Sequence, residues 1–188
     1  MSNPSQSLSG HFLIAMPALD DPHFSRGVAI VCQHDEDGAV GLLLNRLSDY
    51  RLGDVLKQMK LGCPHSWLAD QPVLIGGPIQ PERGFVLHRE HGHWESSFRI
   101  NEQWSVTTSY DILVALSQDS GPQPMLLVLG YAGWVAGQLE QELKDNSWLT
   151  VPASDRVIFQ TPPEERWIAA AGLVGVDPLQ LPTYAGHA

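Results

Sequence analysis

The sequence predicts a mixed α+β fold flanked by about four helices. Its apolar, β-rich segments outnumber its amphipathic helical segments, and the two kinds do not alternate regularly. Regular alternation is typical of a doubly wound parallel sheet, so that architecture is disfavoured. No internal repeat or change of composition divides the 188 residues. We therefore expect a flexible N-terminal tail over residues 1–9 and a single domain over residues 10–188.

The first β-rich segments form the strongest local prediction, a hairpin. After a strand over residues 11–17, the apolar runs 27–33 and 39–45 are separated by HDEDG. The Asp-Gly step favours a tight turn because glycine accepts the positive φ that such a turn requires. Further strands are expected over 72–77, 83–88, 104–108, 125–129, 149–152 and 157–161, with the turn GPIQPE between the first two.

Three helices are indicated by their spacing or by their ends. Residues 51–59 carry apolar side chains at i, i+3, i+4 and i+7, which form one helical face. Residues 109–120 begin at a serine cap and stop before a Gly-Pro step. Residues 161–173 begin with Thr161 as N-cap and Pro162 at the first helical position.

The fourth helix follows the strand 125–129 in the stretch MLLVLGYAGWVAGQLEQELKDNSWL. Strand, glycine turn and helix often bind a phosphate or present a nucleophile. However, Gly130, Gly133 and Gly137 match neither GxxxxGK[ST], GxGxxG nor GxSxG. We interpret the glycines as a sharp turn before a closely packed helix. The alternative is a ligand-lining ridge of Trp134, Gln138 and Glu142 beside the apolar stripe of that helix.

Charge and cysteine content exclude several classes. The chain has 21 acidic and 11 basic residues, a net charge of −10, and no basic cluster. Direct nucleic-acid binding is not expected, because such binding depends on phosphate neutralisation by Lys and Arg. Neither a signal peptide nor an apolar run of membrane-spanning length is present, and Cys32 and Cys63 form no CxxC pair. These features predict a cytoplasmic protein with reduced thiols and no membrane contact.

Other candidate sites each have a plain structural alternative. Gly76 and Gly77 allow close approach to a ligand, with Arg83 as an anion clamp, but ordinary turns explain them as well. Asn45 and Arg46 end a strand, where they line a site or act as a cap. The letters LHREHGHWE cluster three histidines, which suggests either zinc or, as we favour, a surface turn. No metal or other cofactor is predicted.

Three long motifs resemble one family of bacterial proteins. They are GHFLIAMPALDDPHFSRGVAIVCQHDEDGAVGLLLNR at 10–46, VLIGGPIQPERGFVLH at 73–88 and LGYAGWVAGQLEQELKDNSWL at 129–149. In this order they resemble the YqgE/AlgH family, and the resemblance extends to the terminal YAGHA. The sequence departs from the family pattern at REHGHWE and at Leu47, where the family commonly has proline.

The resemblance implies a bifurcated β-sheet with a small barrel-like part and surrounding helices. Some members are labelled transcriptional regulators linked to alginate production, and the charge of −10 implies that such control would be indirect here. We predict a non-catalytic binding or regulatory protein with a protein or small-molecule partner. The predicted surface combines Asn45, Arg46, Gly76, Gly77, Arg83, His88, Trp134, Gln138 and Glu142.

The alternative hypothesis is an enzyme with His88 or Glu142 as general acid or base in a pocket for a small anionic substrate. Close approach of His88, Glu142 and Arg83 would favour it.

Overall fold

The computed structural model describes residues 6–89 and 92–183 and shows a mixed α+β fold, as predicted. The strands in this part are β1 (His11–Ala15), β2 (Val28–Asp35), β3 (Gly38–Leu43), β4 (Leu47–Arg51), β5 (Pro72–Ile75), β6 (Ile79–Arg89), β7 (Ser97–Arg99), β8 (Trp104–Thr107), β9 (Met125–Val135) and β10 (Trp148–Pro152). The α-helices are α1 (Leu52–Gln58), α2 (Ser66–Ala69), α3 (Tyr110–Ser117), α4 (Gln138–Lys144) and α5 (Arg166–Gly172). A π-helical turn covers Arg156–Gln160, and 3-10 turns cover Pro163–Glu165 and Pro178–Gln180.

The long strand β9 is a central strand of the sheet. The strand order is β10-β1-β2-β3-β9-β6-β8-β7. One edge of β9 pairs with β6. The other edge pairs first with parallel β5 at Val128 and then with β3 from Ala132 onward. Because β5 and β3 share this edge, the sheet divides there, with β4 and β5 in one branch and β3, β2, β1 and β10 in the other. This division confirms the bifurcated sheet that the resemblance implied.

The sheet curls into a half-barrel that encloses the main apolar core. Side chains from both branches meet inside it, and the π-helical turn and α5 contribute Ile158 and Trp167. Asp155, which precedes the π-helical turn, connects the segment after β10 to the opposite part of the sheet, because it accepts hydrogen bonds from Arg89 on β6 and Trp104 on β8. A second core lies between the outer face and α4, and a third lies under α1 and α3.

Several local predictions are confirmed. The hairpin β2–β3 turns at the predicted Asp-Gly step, and α3 begins after Ser109. Helix α1 buries Leu52 and Leu56 of its predicted apolar face.

Several predictions are wrong. The last helix does not begin with Thr161 as N-cap and Pro162 at its first position, because Pro162 is the N-cap of the 3-10 turn Pro163–Glu165 and α5 begins only at Arg166. The segment 157–161 is a π-helical turn and not a strand, because short apolar runs fit either structure and here they fill the barrel core. Most of GPIQPE lies in β6, whose pairing with β9 is irregular between Ile79 and Gly84.

Another error concerns the segment after residue 129, where β9 continues to Val135 and the helix begins only at Gln138. Ala132 and Trp134 are buried while Gly133 and Val135 are exposed, so burial alternates with a period of two. Only Gly137, with φ 78°, lies at the start of the helix. The strands β4 and β7 and the short helix α2 were not predicted from the sequence.

Candidate functional site

Asn45 and Arg46 lie between β3 and β4 and bind the loop that precedes β2. The side-chain oxygen of Asn45 accepts a hydrogen bond from the backbone amide of Val28 at 3.0 Å. The side-chain NH2 group of Asn45 donates to the backbone carbonyl of Arg26 at 2.8 Å. The Arg46 guanidinium donates to the Ser25 carbonyl. Both side chains therefore hold the segment that leads into β2.

Gly76 and Gly77 lie where the sheet divides. A Cβ on Gly76 would lie 2.4 Å from the Gly130 carbonyl oxygen, and one on Gly77 would lie 2.2 Å from the Tyr131 carbonyl. Gly130 itself has φ 73°, a conformation that favours glycine. These glycines allow the connection between β5 and β6 to lie against the backbone of β9. The lack of a side chain, which suggested close approach of a ligand, thus serves close approach of the chain itself.

His88 is buried between β6 and β8, with 1% of its surface exposed. Its Nδ1 lies 2.6 Å from the Arg89 carbonyl oxygen, which can only accept a hydrogen bond. Nδ1 therefore carries the hydrogen and donates the bond. In the neutral ring Nε2 then accepts from the Thr107 hydroxyl at 2.8 Å. Thr107 in turn accepts from the Ser97 hydroxyl at 2.7 Å. His88 is thus a member of a buried network that connects three strands.

Two residues of the predicted ridge, Trp134 and Glu142, are in direct contact. The Trp134 and Trp148 indole N–H groups donate to the same Glu142 oxygen, at 3.2 and 3.0 Å. Trp134 is only 5% exposed. The Gln138 side chain accepts from the Val135 amide at 3.0 Å and so supports the first turn of α4. These contacts fix α4 against the end of β9.

His88 on β6 and Glu142 on α4 lie beside different parts of β9. His88 pairs with Met125 on β9, whereas Glu142 is bonded to Trp134, nine residues later on that strand. At about 3.3 Å per residue, the two strand positions are roughly 25–30 Å apart along the chain. The close approach of His88, Glu142 and Arg83 that would favour an acid–base pocket is not found.

Arg83 lies at a cavity of about 440 Å³ in the mouth of the half-barrel, between β2–β3 and β6–β8–β7. Its apolar wall consists of Cys32, Val40, Leu42, Phe85, Phe98 and Val106, and its polar rim of Gln33, Arg83, Ser96, Ser97 and Thr108. Arg83 is the one charged side chain among these lining residues. Its guanidinium lies 5.4 Å from the Phe85 ring centre and donates to Gln80 at 3.3 Å. The exposed guanidinium is therefore held over the mouth.

Cys32 lies in the wall of this cavity, where its burial disfavours the thiolate. Burial raises the pKa of its thiol to about 12, and its Sγ lies 3.8 Å from the Ile30 carbonyl. A thiol reacts as the thiolate, so Cys32 contributes apolar surface only.

Sequence reasoning missed a partly buried pair beside the hairpin turn. His34, the first residue of the predicted turn HDEDG, is 6% exposed and lies 2.6 Å from Glu140 of α4. Its Nδ1 accepts from the Leu8 amide at 3.1 Å, so Nε2 donates to the carboxylate. This hydrogen bond lowers the pKa of Glu140. No local motif could have revealed a pair 106 residues apart.

The described residues contain no group of three or more side chains suited to hold a metal ion. His91, of the histidine cluster, and the terminal YAGHA lie outside the described residues. No helix in the described ranges is long and apolar enough to cross a membrane.

Comparison with known proteins identifies the family. A family model described as AlgH-like matches residues 12–179. The chain belongs to the AlgH-like family. A UPF0301 protein of Methylococcus capsulatus is 51% identical over 187 residues, covering 100% of both chains. A UPF0301 protein of Xanthomonas campestris is 53% identical over 181 residues, covering 96% of each.

Solved structures show that this AlgH-like chain shares its fold with related proteins. The solution structure of the AlgH protein from Pseudomonas aeruginosa matches with a TM-score of 0.79 and 44% identity over 100% of both chains. A crystal structure of protein DIP2367 from Corynebacterium diphtheriae matches with a TM-score of 0.69 and 21% identity, over 89% of this chain and 87% of that one. The second match shows likeness of fold alone.

Proposed function

We propose that this AlgH-like protein is a non-catalytic binding protein that takes a small carboxylate with an apolar body in the mouth of its half-barrel. The observation that carries the proposal is Arg83, the one charged side chain among the described residues that line an otherwise uncharged cavity. The arrangement supports binding without chemistry, since neither Cys32 nor His88 offers a reactive group there.

The size and position of the cavity fit a small ligand. Its volume of about 440 Å³ falls in the range of roughly 300–1,000 Å³ typical of ligand sites. The mouth of a β-barrel is also a common place for such sites. The apolar wall would hold the body of the ligand, while the guanidinium at the rim would pair with its carboxylate.

Charge determines which partners such a protein would use. With a net charge of −10, direct binding to DNA or RNA is disfavoured, so an effect on gene expression would pass through a protein partner. The two cysteines are both free, which fits a reducing cytoplasm. In this proposal the carboxylate ligand is the signal and binding to the second protein is the response.

Calorimetric titration with phenylbutyrate and with the uncharged phenylbutanol tests the proposal. Phenylbutyrate should bind more tightly, and Arg83→Gln should weaken it about five-fold, the value of a partly exposed ion pair. Binding of phenylbutanol should not change in the variant.

Arg156→Gln is the matched control, because Arg156 is exposed and lies outside the mouth. It should leave both affinities unchanged. If the two compounds bind equally well to the wild type, or if the two variants weaken phenylbutyrate alike, the assignment to Arg83 is wrong.

A further inference from the structure

A second and larger cavity, of about 580 Å³, lies on the opposite face of β6 from the barrel mouth. Successive residues of a strand point to opposite faces. Arg83 and Phe85 line the mouth, while Glu82, Gly84 and Val86 line this second cavity. We call it the α1–α3 cleft, because residues of those two helices form its walls.

The floor of the α1–α3 cleft is apolar. Its buried or half-buried residues come from the third core and are Val55, Val86, Ile112, Leu113, Leu127 and Leu129. A volume of about 580 Å³ with such a floor is sufficient for a small organic molecule with an apolar body.

The rim of the cleft carries two aromatic rings and one carboxylate. Tyr50 and Tyr110 are about half exposed, at 50% and 49%. The Tyr110 hydroxyl donates to the Met59 carbonyl at 3.4 Å, which limits the motion of its ring. Glu82 is the one charged side chain among the described lining residues. Within the described ranges it has neither a hydrogen bond nor an ion pair.

Two of the hydroxyl groups that line the cleft are already hydrogen-bonded within the protein. The Thr107 hydroxyl is bonded to His88 and Ser97. The Ser109 hydroxyl donates to Asp111 at 2.5 Å. The carboxylate at the rim, rather than these hydroxyls, therefore decides which charge a ligand carries.

We propose that the α1–α3 cleft binds a small organic cation, an amine or ammonium compound with an apolar or aromatic body. The body would displace water from the apolar floor, while the cationic group would lie between the faces of Tyr50 and Tyr110 and pair with Glu82. Aromatic faces attract cations through their ring quadrupole, and this arrangement recognises ammonium groups elsewhere.

Titration with phenylbutylamine, followed through the methyl signals of Val55, Val86 and Leu113, tests this assignment. Those signals should shift with saturation, and phenylbutylamine should bind more tightly than phenylbutanol. Glu82→Gln should weaken the amine about five-fold and leave the alcohol unchanged, because only the charge pair is lost.

Two further substitutions separate the aromatic contribution from apolar contact. Tyr50→Leu should weaken the amine about three-fold, whereas Tyr50→Phe should stay within about two-fold of the wild type, since it keeps the ring. Glu36→Gln, in the exposed hairpin turn, is the control for loss of one acidic charge.

The inference is overturned if the amine and the alcohol bind alike, if Glu82→Gln and Glu36→Gln have the same effect, or if the shifted methyl signals lie outside the cleft. It stands apart from the proposed function, since Arg83→Gln should not alter binding of the amine. Failure of one proposal would therefore leave the other in place.

Discussion

Substituting Gly77 by alanine tests the interpretation of the glycines where the sheet divides. The added Cβ would lie 2.2 Å from the carbonyl carbon and oxygen of Tyr131, whereas ordinary contact begins near 3.4 Å. The connection between β5 and β6 must then move away from β9 by roughly 1 Å. This movement weakens the bond from the Gly76 amide to the Leu129 carbonyl, now 2.7 Å long, and the bond from the Leu43 amide to the Gly76 carbonyl, now 2.8 Å.

The expected loss of stability follows from these contacts. Losing one or two backbone hydrogen bonds costs about 1 kcal/mol each, and overpacking strain adds about 1–3 kcal/mol. We expect Gly77→Ala to lower the free energy of unfolding by about 3–4 kcal/mol, a large part of the total stability of an ordinary domain.

Urea unfolding followed by tryptophan fluorescence measures this loss. Gly62→Ala is the matched control, because a Cβ there would meet nothing within 4 Å, and its effect should stay within about 1 kcal/mol. A Gly77→Ala protein as stable as the Gly62→Ala protein would refute the steric reasoning. If its stability were unchanged but a ligand no longer bound, the glycines would instead serve ligand approach.

Three further outcomes are expected. The hydrogen bond from Arg89 lowers the pKa of Asp155. The stabilisation from this bond is therefore present above about pH 4 and is lost as the pH falls through the lower pKa of the folded state. Asp155→Asn should cost about 1 kcal/mol at pH 7 in urea unfolding, and the difference from the wild type should vanish in acid. His34→Ala should speed hydrogen exchange of the Leu8 amide at least about ten-fold, as measured by NMR, because the imidazole acceptor of that amide is lost. Ellman's reagent should modify Cys63 but not Cys32 in the native protein and both in urea, since Cys32 is buried and its thiol pKa is raised, whereas Cys63 is partly exposed. Equal rates for the two native thiols would contradict this.

Local signals predicted those parts of the fold that depend on local physics. The Asp-Gly hairpin follows from turn geometry within a few residues. Ser109 does precede α3, although its hydroxyl bonds Asp111 and makes no capping hydrogen bond to the helix backbone. The extension of β9 through Gly130 and Gly133 was missed because glycines disfavour strands when judged alone. In the folded sheet the backbone of the β5–β6 connection lies against Gly130, and the Ile79 side chain lies against Gly133. These contacts explain why glycine occupies both positions, and they exist only in the folded sheet.

The candidate site could be predicted only in part for the same reason. Arg83 was singled out as an anion clamp, but the wall of its cavity comes from β2, β3, β6, β7 and β8, and no spacing rule connects those strands. Trp134 and Glu142 were grouped as one ridge, and they do meet, although Trp134 reaches Glu142 from the strand and is buried. The α1–α3 cleft was not predicted, because its rim residues Tyr50, Glu82 and Tyr110 lie in separate segments.

Methyl NMR of the wild-type protein during titration with phenylbutyrate is the most direct test of the proposed function. The signals of Val40, Leu42 and Val106 should shift together and saturate, since these side chains form the wall of the barrel mouth. The same titration of Arg83→Gln should require about five times more ligand. Saturation at other methyl groups, or no shift at these three, would contradict a carboxylate site in the mouth of the half-barrel.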